Sequence, residues 1–213
     1  MDYDGKGREN AVSSRRSYEP IAFDVEQSAK FAASVLQKAD LPMTRIAVIG
    51  TVASWFSLPR DRQLMTKDLD FAIRQEDTVW IESALRSMQV TSGQIEFGGV
   101  KVELLGGINV DFIDRRTELA PLFREALDAA EQADVRVCLG CTEVLLMPLE
   151  YVVAMKIVPA RDRDDLVLGH ILEAVKDLDY GKARDIVLRH LGPASANRLD
   201  AFARRAGRLV SVP

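Results

Sequence analysis

Apolar residues along this 213-residue chain change period near residue 147. Before that point short alternating or continuous apolar runs mix with helical spacings. After it, helical spacing continues to the end. Val25, Ala29, Ala32, Val35, Leu36 and Ala39 recur at helical intervals behind Asp24, a residue suited to an N-cap, and Leu41-Pro42 closes that helix. Residues 45–49 are mostly apolar and end at Gly50, as a buried strand feeding a tight turn does. The pattern then predicts a short helix over 51–57, a charged loop over 59–66, a second strand over 69–73 and a helix over 76–88.

Three β-prone runs follow at 94–97, 100–105 and 108–113, separated by Gly98-Gly99 and Gly106-Gly107. Paired glycines between such runs signal hairpins, so an antiparallel meander is expected. Residues 119–130 predict a helix and 135–139 a last strand. Residues 147–158 are apolar almost all round, which predicts a buried helix. Helices over 162–178, 182–191 and 194–209 come next, with Gly181 and Gly192-Pro193 at the breaks. The pattern describes an α+β protein with a mixed or antiparallel sheet and a helical C-terminal part. Its expected divisions are a polar, disordered tail over 1–19, an α+β domain over 20–145 and a helical region over 146–213.

Composition narrows the class. Apolar residues make up 47% and charged residues 28%, as in ordinary globular chains. No apolar run has the length of a membrane span, and the first twenty residues lack the apolar stretch of a secretory signal, so a cytoplasmic protein without a membrane partner is expected. Cys138 and Cys141 lie at a strand end beside Gly140. With no second cysteine pair, they read as two ordinary thiols. The net charge of −4 is uneven: after residue 180 seven Lys/Arg face only Asp185 and Asp200. Such a tail is either a solvated helix face or a contact for an anionic partner.

The chemistry gathers around Asp68-Leu69-Asp70. On a strand these aspartates share a face, roughly 6.5–7 Å apart, while Leu69, Phe71 and Ile73 point into a core. Two like charges so close raise each other's pKa unless a cation offsets them, and hard oxygens on a rigid element suit Mg²⁺. Asn109-Val110-Asp111-Phe112-Ile113 alternates in the same way. Beside the first strand, Asp111 makes a third carboxylate, with Asp114 as its rival. Three carboxylates can hold two Mg²⁺ ions for in-line phosphoryl chemistry. Upstream, Gly50 and Thr51 end a strand where a helix begins. Gly50 lets backbone N–H groups approach a phosphate, and the Thr51 hydroxyl can donate to one.

This order of features resembles the nucleotidyltransferase superfamily with the polymerase-β-like fold. It resembles more closely still a branch of small bacterial enzymes that includes abortive-infection type toxins. Gly50 and Ala53 match that branch's Gly-Gly-x-Ala. Thr66, Asp68 and Asp70 match its Thr-x-Asp-x-Asp, and Asp111 its third carboxylate. Lys156 matches a lysine in an apolar helix, and Arg161, Arg163, Asp164 and Asp165 approximate the last signature. Thr51 replaces the second glycine or serine. Leu64 stands where an arginine is usual, with Arg62 as its nearest substitute.

The resemblance implies transfer of a nucleoside monophosphate from an NTP to an acceptor, with release of pyrophosphate. Asp68, Asp70 and Asp111 would be catalytic and hold Mg²⁺, or Mn²⁺ in its place. Gly50, Thr51 and Lys156 would bind the nucleotide. The acceptor is open among a small molecule, a protein and an RNA, and a protein partner is compatible with the toxin–antitoxin branch. Two rivals stand beside this reading: a nucleotide- or partner-binding module without catalysis, and a nucleic-acid binder using Arg198, Arg205 and Arg208 on the last helix.

Overall fold

A computed structural model describes residues 23–105, 108–159 and 161–208. The expected tail over 1–19, the Gly106-Gly107 turn and the helix end at Leu209 lie outside these residues, and α1 starts at Phe23, which puts Asp24 in its first turn and not ahead of it. Helix α1 (Phe23–Lys38) buries the stripe read from the sequence: Val25, Ala29, Ala32, Val35 and Leu36 are all inside. Strand β1 is only Ala47–Val48. Its expected start at Arg45 is lost to a 3-10 turn, Met43–Arg45, and the Arg45 guanidinium grips Asp77 through bonds of 3.0 and 2.8 Å. Gly50 opens α2 (Gly50–Trp55) at once.

The chain continues through β2 (Asp68–Ala72), α3 (Thr78–Ser87), β3 (Ser92–Gln94), β4 (Val100–Val102), β5 (Asn109–Ile113), α4 (Ala120–Ala133), β6 (Arg136–Leu139) and β7 (Thr142–Leu146). It ends in α5 (Leu149–Ile157), α6 (Asp162–Ala174) and α7 (Tyr180–Arg205). Among the described residues, seven strands form one mixed sheet in the order β3-β4-β5-β2-β1-β7-β6, and there are seven α-helices. The α+β architecture expected from the pattern is the one that forms.

The meander β3-β4-β5 is antiparallel, as the glycine pairs suggested, yet β5 joins β2 in parallel. β3 lies earlier than the expected 94–97. Gly98 and Gly99, at φ +111 and +113, close a turn in which the Gly98 N–H donates to the Ile95 carbonyl at 2.9 Å. A Cβ on Gly99 would stand 2.0 Å from the Phe112 carbonyl oxygen, so only glycine permits this approach.

The expectation of a last strand at 135–139 needs correction. β6 turns back at Gly140 into β7, which enters the sheet interior parallel to β1. The run Thr142–Leu146 merges in sequence with the apolar helix after Met147-Pro148, so periodicity alone gave it no edge. The two thiols flank that hairpin turn; both are free, and Cys141 is exposed.

Helix α7 contains the break expected at Gly192-Pro193, with Gly192 at φ 80°, ψ 178°. α1 packs on one face of the sheet with α3, and α5 packs against α2, α6 and α7. Leu69, Phe71, Val110 and Phe112 are fully buried, and the Phe71 and Phe112 rings stack with centroids 6.0 Å apart. The other residues of β2 and β5 therefore face the side on which the site lies.

Candidate active site

The parallel register of β2 and β5 pairs Asp68 with Asn109 and Asp70 with Asp111. Parity and register together bring the three sequence-selected aspartates onto one face of two adjacent strands. They line a cleft of about 260 Å³ with Gly50, Thr51 and Lys156. Asp114 does not join them. Its carboxylate is buried elsewhere, accepting bonds from the Thr78 hydroxyl at 2.7 Å and from Arg116 at 2.9 Å. A carboxylate so occupied braces the end of β5.

Gly50 is the hinge of this arrangement. Its φ is +68°, and a Cβ there would sit 2.2 Å from Asp70 Oδ2. The Ile49 N–H donates to the Asp70 carbonyl at 2.9 Å, so β1 holds β2 by backbone while Gly50 makes room for the carboxylate. Thr51 is buried in the first turn of α2. Lys156, on the otherwise apolar α5, donates to Asp164 Oδ1 at 2.6 Å and to Thr51 Oγ1 at 3.4 Å. The lysine thus bridges α5, α2 and α6 at the cleft wall rather than reaching out to water. Thr66 orders the entry to β2: its hydroxyl donates to the Asp68 carbonyl at 3.0 Å.

The carboxylates are short of partners. Burial, then the neighbouring Asp111 charge, push the Asp70 carboxyl up to about 7, against the pull of Lys156. Burial also lifts Asp111 to about 6, opposed by Lys101 and supported by Asp68. Asp111 Oδ1 is buried with no hydrogen-bond partner. Asp68 accepts from Asn109 Nδ2 at 3.1 Å and from Lys101 Nζ at 3.5 Å. Among the described residues no three His, Cys, Asp or Glu side chains close into a cation cage, so these aspartates are an open row. The donor set of hard, half-buried oxygens with one orphaned atom, beside a lysine already drawn to it, fits a hard divalent cation better than an apolar or soft ligand.

Sequence reasoning overlooked three contributors. Lys101, opposite Asp111 on β4, supplies a cation to the row. The signal was available, since Lys101 alternates with the buried Val100 and Val102. Arg115 lines the cleft from beyond β5, and no spacing rule points to it. Asp164, matched above only as part of a charged signature, is the buried partner of Lys156. Arg62, the nearest substitute for the missing arginine, pairs instead with Glu173 at 2.9 Å. Leu64 gives its carbonyl to the Trp55 indole. Arg163, from α6, donates to the Met65 carbonyl at the cleft's edge.

Much of the basic C-terminal stretch is paired within the protein. Arg184 pairs with Asp200, Arg189 with Glu125, and Arg198 with Asp165 and the Ile157 carbonyl, while Arg208 donates to the Leu172 carbonyl. Of the three arginines read as a nucleic-acid face, Arg198 and Arg208 tie α7 to α5 and α6.

No protein-family model and no curated protein matches this chain. Two solved structures resemble it over most of its length. One is the solution structure of the antibiotic-resistance factor ANT(2'')-Ia, 16% identical, with a TM-score of 0.44 over 87% of this chain and 95% of that one. The other is the crystal structure of JHP933 from Helicobacter pylori, 13% identical, with a TM-score of 0.38 over 87% of this chain and 92% of that one. At this level of agreement neither neighbour informs the role of any residue.

Proposed function

We propose that the cleft is the active site of a nucleotidyltransferase that moves a nucleoside monophosphate from an NTP to an acceptor hydroxyl. The observation that carries this reading is the register Asp70–Asp111 beside Asp68, a row of half-buried carboxylates with unmet charge. Asp68, Asp70 and Asp111 would hold Mg²⁺, or Mn²⁺ in its place. When bound, the metal supplies Lewis-acid stabilisation of phosphoryl oxygens.

The chain's own groups have separate tasks. Gly50 leaves space for the Asp70 carboxylate. Lys156 and the Thr51 hydroxyl offer positive charge and a hydrogen bond to the phosphates, and Asp164 holds the lysine in place. The acceptor oxygen bonds the α-phosphorus as the bond to the β-phosphoryl oxygen breaks, and that electron pair leaves with pyrophosphate. The hydroxyl proton passes to the Asp111 carboxylate.

The test is thermal melting with each NTP, with and without Mg²⁺, followed by pyrophosphate release. A saturating nucleotide–metal pair, at 100 times its Kd, adds about 2.7 kcal/mol of stability. That corresponds to roughly 5–10 °C in a chain of this size. Asp68→Asn and Asp70→Asn are expected to remove the metal-dependent shift and any pyrophosphate release. No shift with any NTP in the wild type would end the reading.

A further inference from the structure

A second cavity of about 290 Å³ adjoins the cleft, and Arg115 and Phe123 line both. Arg115 lies two residues past β5 at φ +37°, a conformation uncommon outside glycine. Its guanidinium carbon is 3.5 Å from the centroid of Phe97 and 5.5 Å from that of Phe123. Stacking on aromatic faces fixes the plane of the fork without using its N–H donors. Nε is buried without an acceptor. Burial, then the nearby Arg161 at the start of α6, hold its pKa below the usual arginine value, against the pull of Glu118 and Asp70. Glu118 and Asp70 attract this guanidinium from a distance but leave its buried Nε without an acceptor, an unmet donor that an anion in the cavity would satisfy.

Position decides which anion. The sheet order sets β1 and β5 on opposite sides of β2. Gly50, Thr51 and Lys156 belong to the β1 side; Asp111 and Arg115 belong to the β5 side, where Lys101 of β4 adds another cation. In-line displacement requires the attacking and leaving oxygens to stand on opposite sides of the phosphorus. On the nucleotidyltransferase reading, on which this inference rests, pyrophosphate leaves toward Thr51 and Lys156. The acceptor then arrives along the β5 side.

We propose that Arg115, assisted by Arg161, binds a phosphate group of the acceptor, so that the acceptor is a phosphate-bearing alcohol and not a polycation. The acceptor hydroxyl attacks as described above, while its phosphate stays on the Arg115 fork and takes no part in bond changes.

The test uses the full chain saturated with Mg²⁺ and the α,β-methylene analogues of the four NTPs, which occupy the nucleotide side without reacting. Inorganic phosphate is then titrated by calorimetry. The wild type is expected to bind phosphate as a second ligand. Arg115→Gln should weaken that binding at least tenfold and alter analogue affinity less than twofold, which also shows that the variant is folded. Arg115→Lys, which keeps the charge and loses the fork, should fall between the two. Absence of a second phosphate event in the wild type overturns the proposal. So does an Arg115→Gln variant that loses analogue and phosphate equally, because Arg115 would then hold the NTP. A wild type that binds no analogue instead ends the nucleotidyltransferase reading and with it the acceptor role. In that case phosphate binding without nucleotide that Arg115→Gln weakens tenfold still supports the anion site, and phosphate binding unchanged by Arg115→Gln overturns it.

Discussion

Asp70 carries the sharpest electrostatic consequence of the site. Its carboxyl is raised from an ordinary 3.8 to about 7, so between about pH 4 and 7 the folded state holds a proton that the unfolded state has lost. Stability contributed by this group therefore falls as pH rises through that window and stays low above it. Asp70→Asn removes the penalty. In EDTA the variant should be more stable than wild type at pH 8, by a few kcal/mol at about 1.4 kcal/mol per unit of pKa, with the gain fading toward pH 4. Melting curves across that range check it, and a gain independent of pH would mean that Asp70 titrates as an ordinary carboxylate. Gly50→Ala should act the other way. A Cβ both collides with Asp70 and sits at positive φ, so a loss of about 2 kcal/mol and displacement of the carboxylate are expected. Gly93→Ala is the control, since a Cβ there meets nothing within 4 Å. Urea unfolding of the two variants gives the comparison.

Among the elements, α7 separates what sequence conveys from what it does not. Gly192-Pro193 marked a break by residue type alone, and the backbone at φ 80°, ψ 178° is one that side chains with a Cβ avoid. Gly192→Ala meets no atom within 4 Å, so its cost is purely conformational, about 1–3 kcal/mol. A neutral substitution by urea unfolding would show that the two halves of α7 need no fixed angle. Strands were legible where parity alternates: Asp68, Asp70, Asn109 and Asp111 were assigned to polar faces and are found there. β7 was not legible, because Val144, Leu145 and Leu146 run into the helix apolar stretch without a change of period. Arg115 was equally hidden. Its place depends on a turn at φ +37° and on Phe97 from a different hairpin, and neither is written in local spacing.

For the whole molecule, charge location overrides charge count. The excess of arginine after residue 180 looked available to an anionic partner, but Arg184, Arg189, Arg198 and Arg208 close contacts among α4–α7. Arg205 covers the Phe202 ring at 4.3 Å. Replacing Arg204 and Arg205 by Ala should change affinity for single-stranded RNA by less than twofold at 150 mM salt, measured by fluorescence anisotropy. A nucleic-acid interface there would instead lose about 1.4 units of log–log salt slope, about 0.7 for each charge on a single strand. Arg198→Ala is expected to lower stability by about 1–3 kcal/mol in urea, because it strands Asp165 and the Ile157 carbonyl. No described helix is long and apolar enough to cross a membrane.

The pairing of Asp70 with Asp111 has a consequence for how this chain tolerates insertions and deletions. Side chains on β5 alternate strictly, so losing one residue between Asn109 and Asp111 exchanges the two faces of everything before the lesion or after it. Phe112 would then turn toward the cleft and an aspartate toward the Phe71 ring. A two-residue change preserves the faces and shifts only the level. Length variation inside β5 is therefore filtered by evenness, and a homologue whose β5 is longer or shorter by an odd number should carry a bulge at that strand or have abandoned the chemistry.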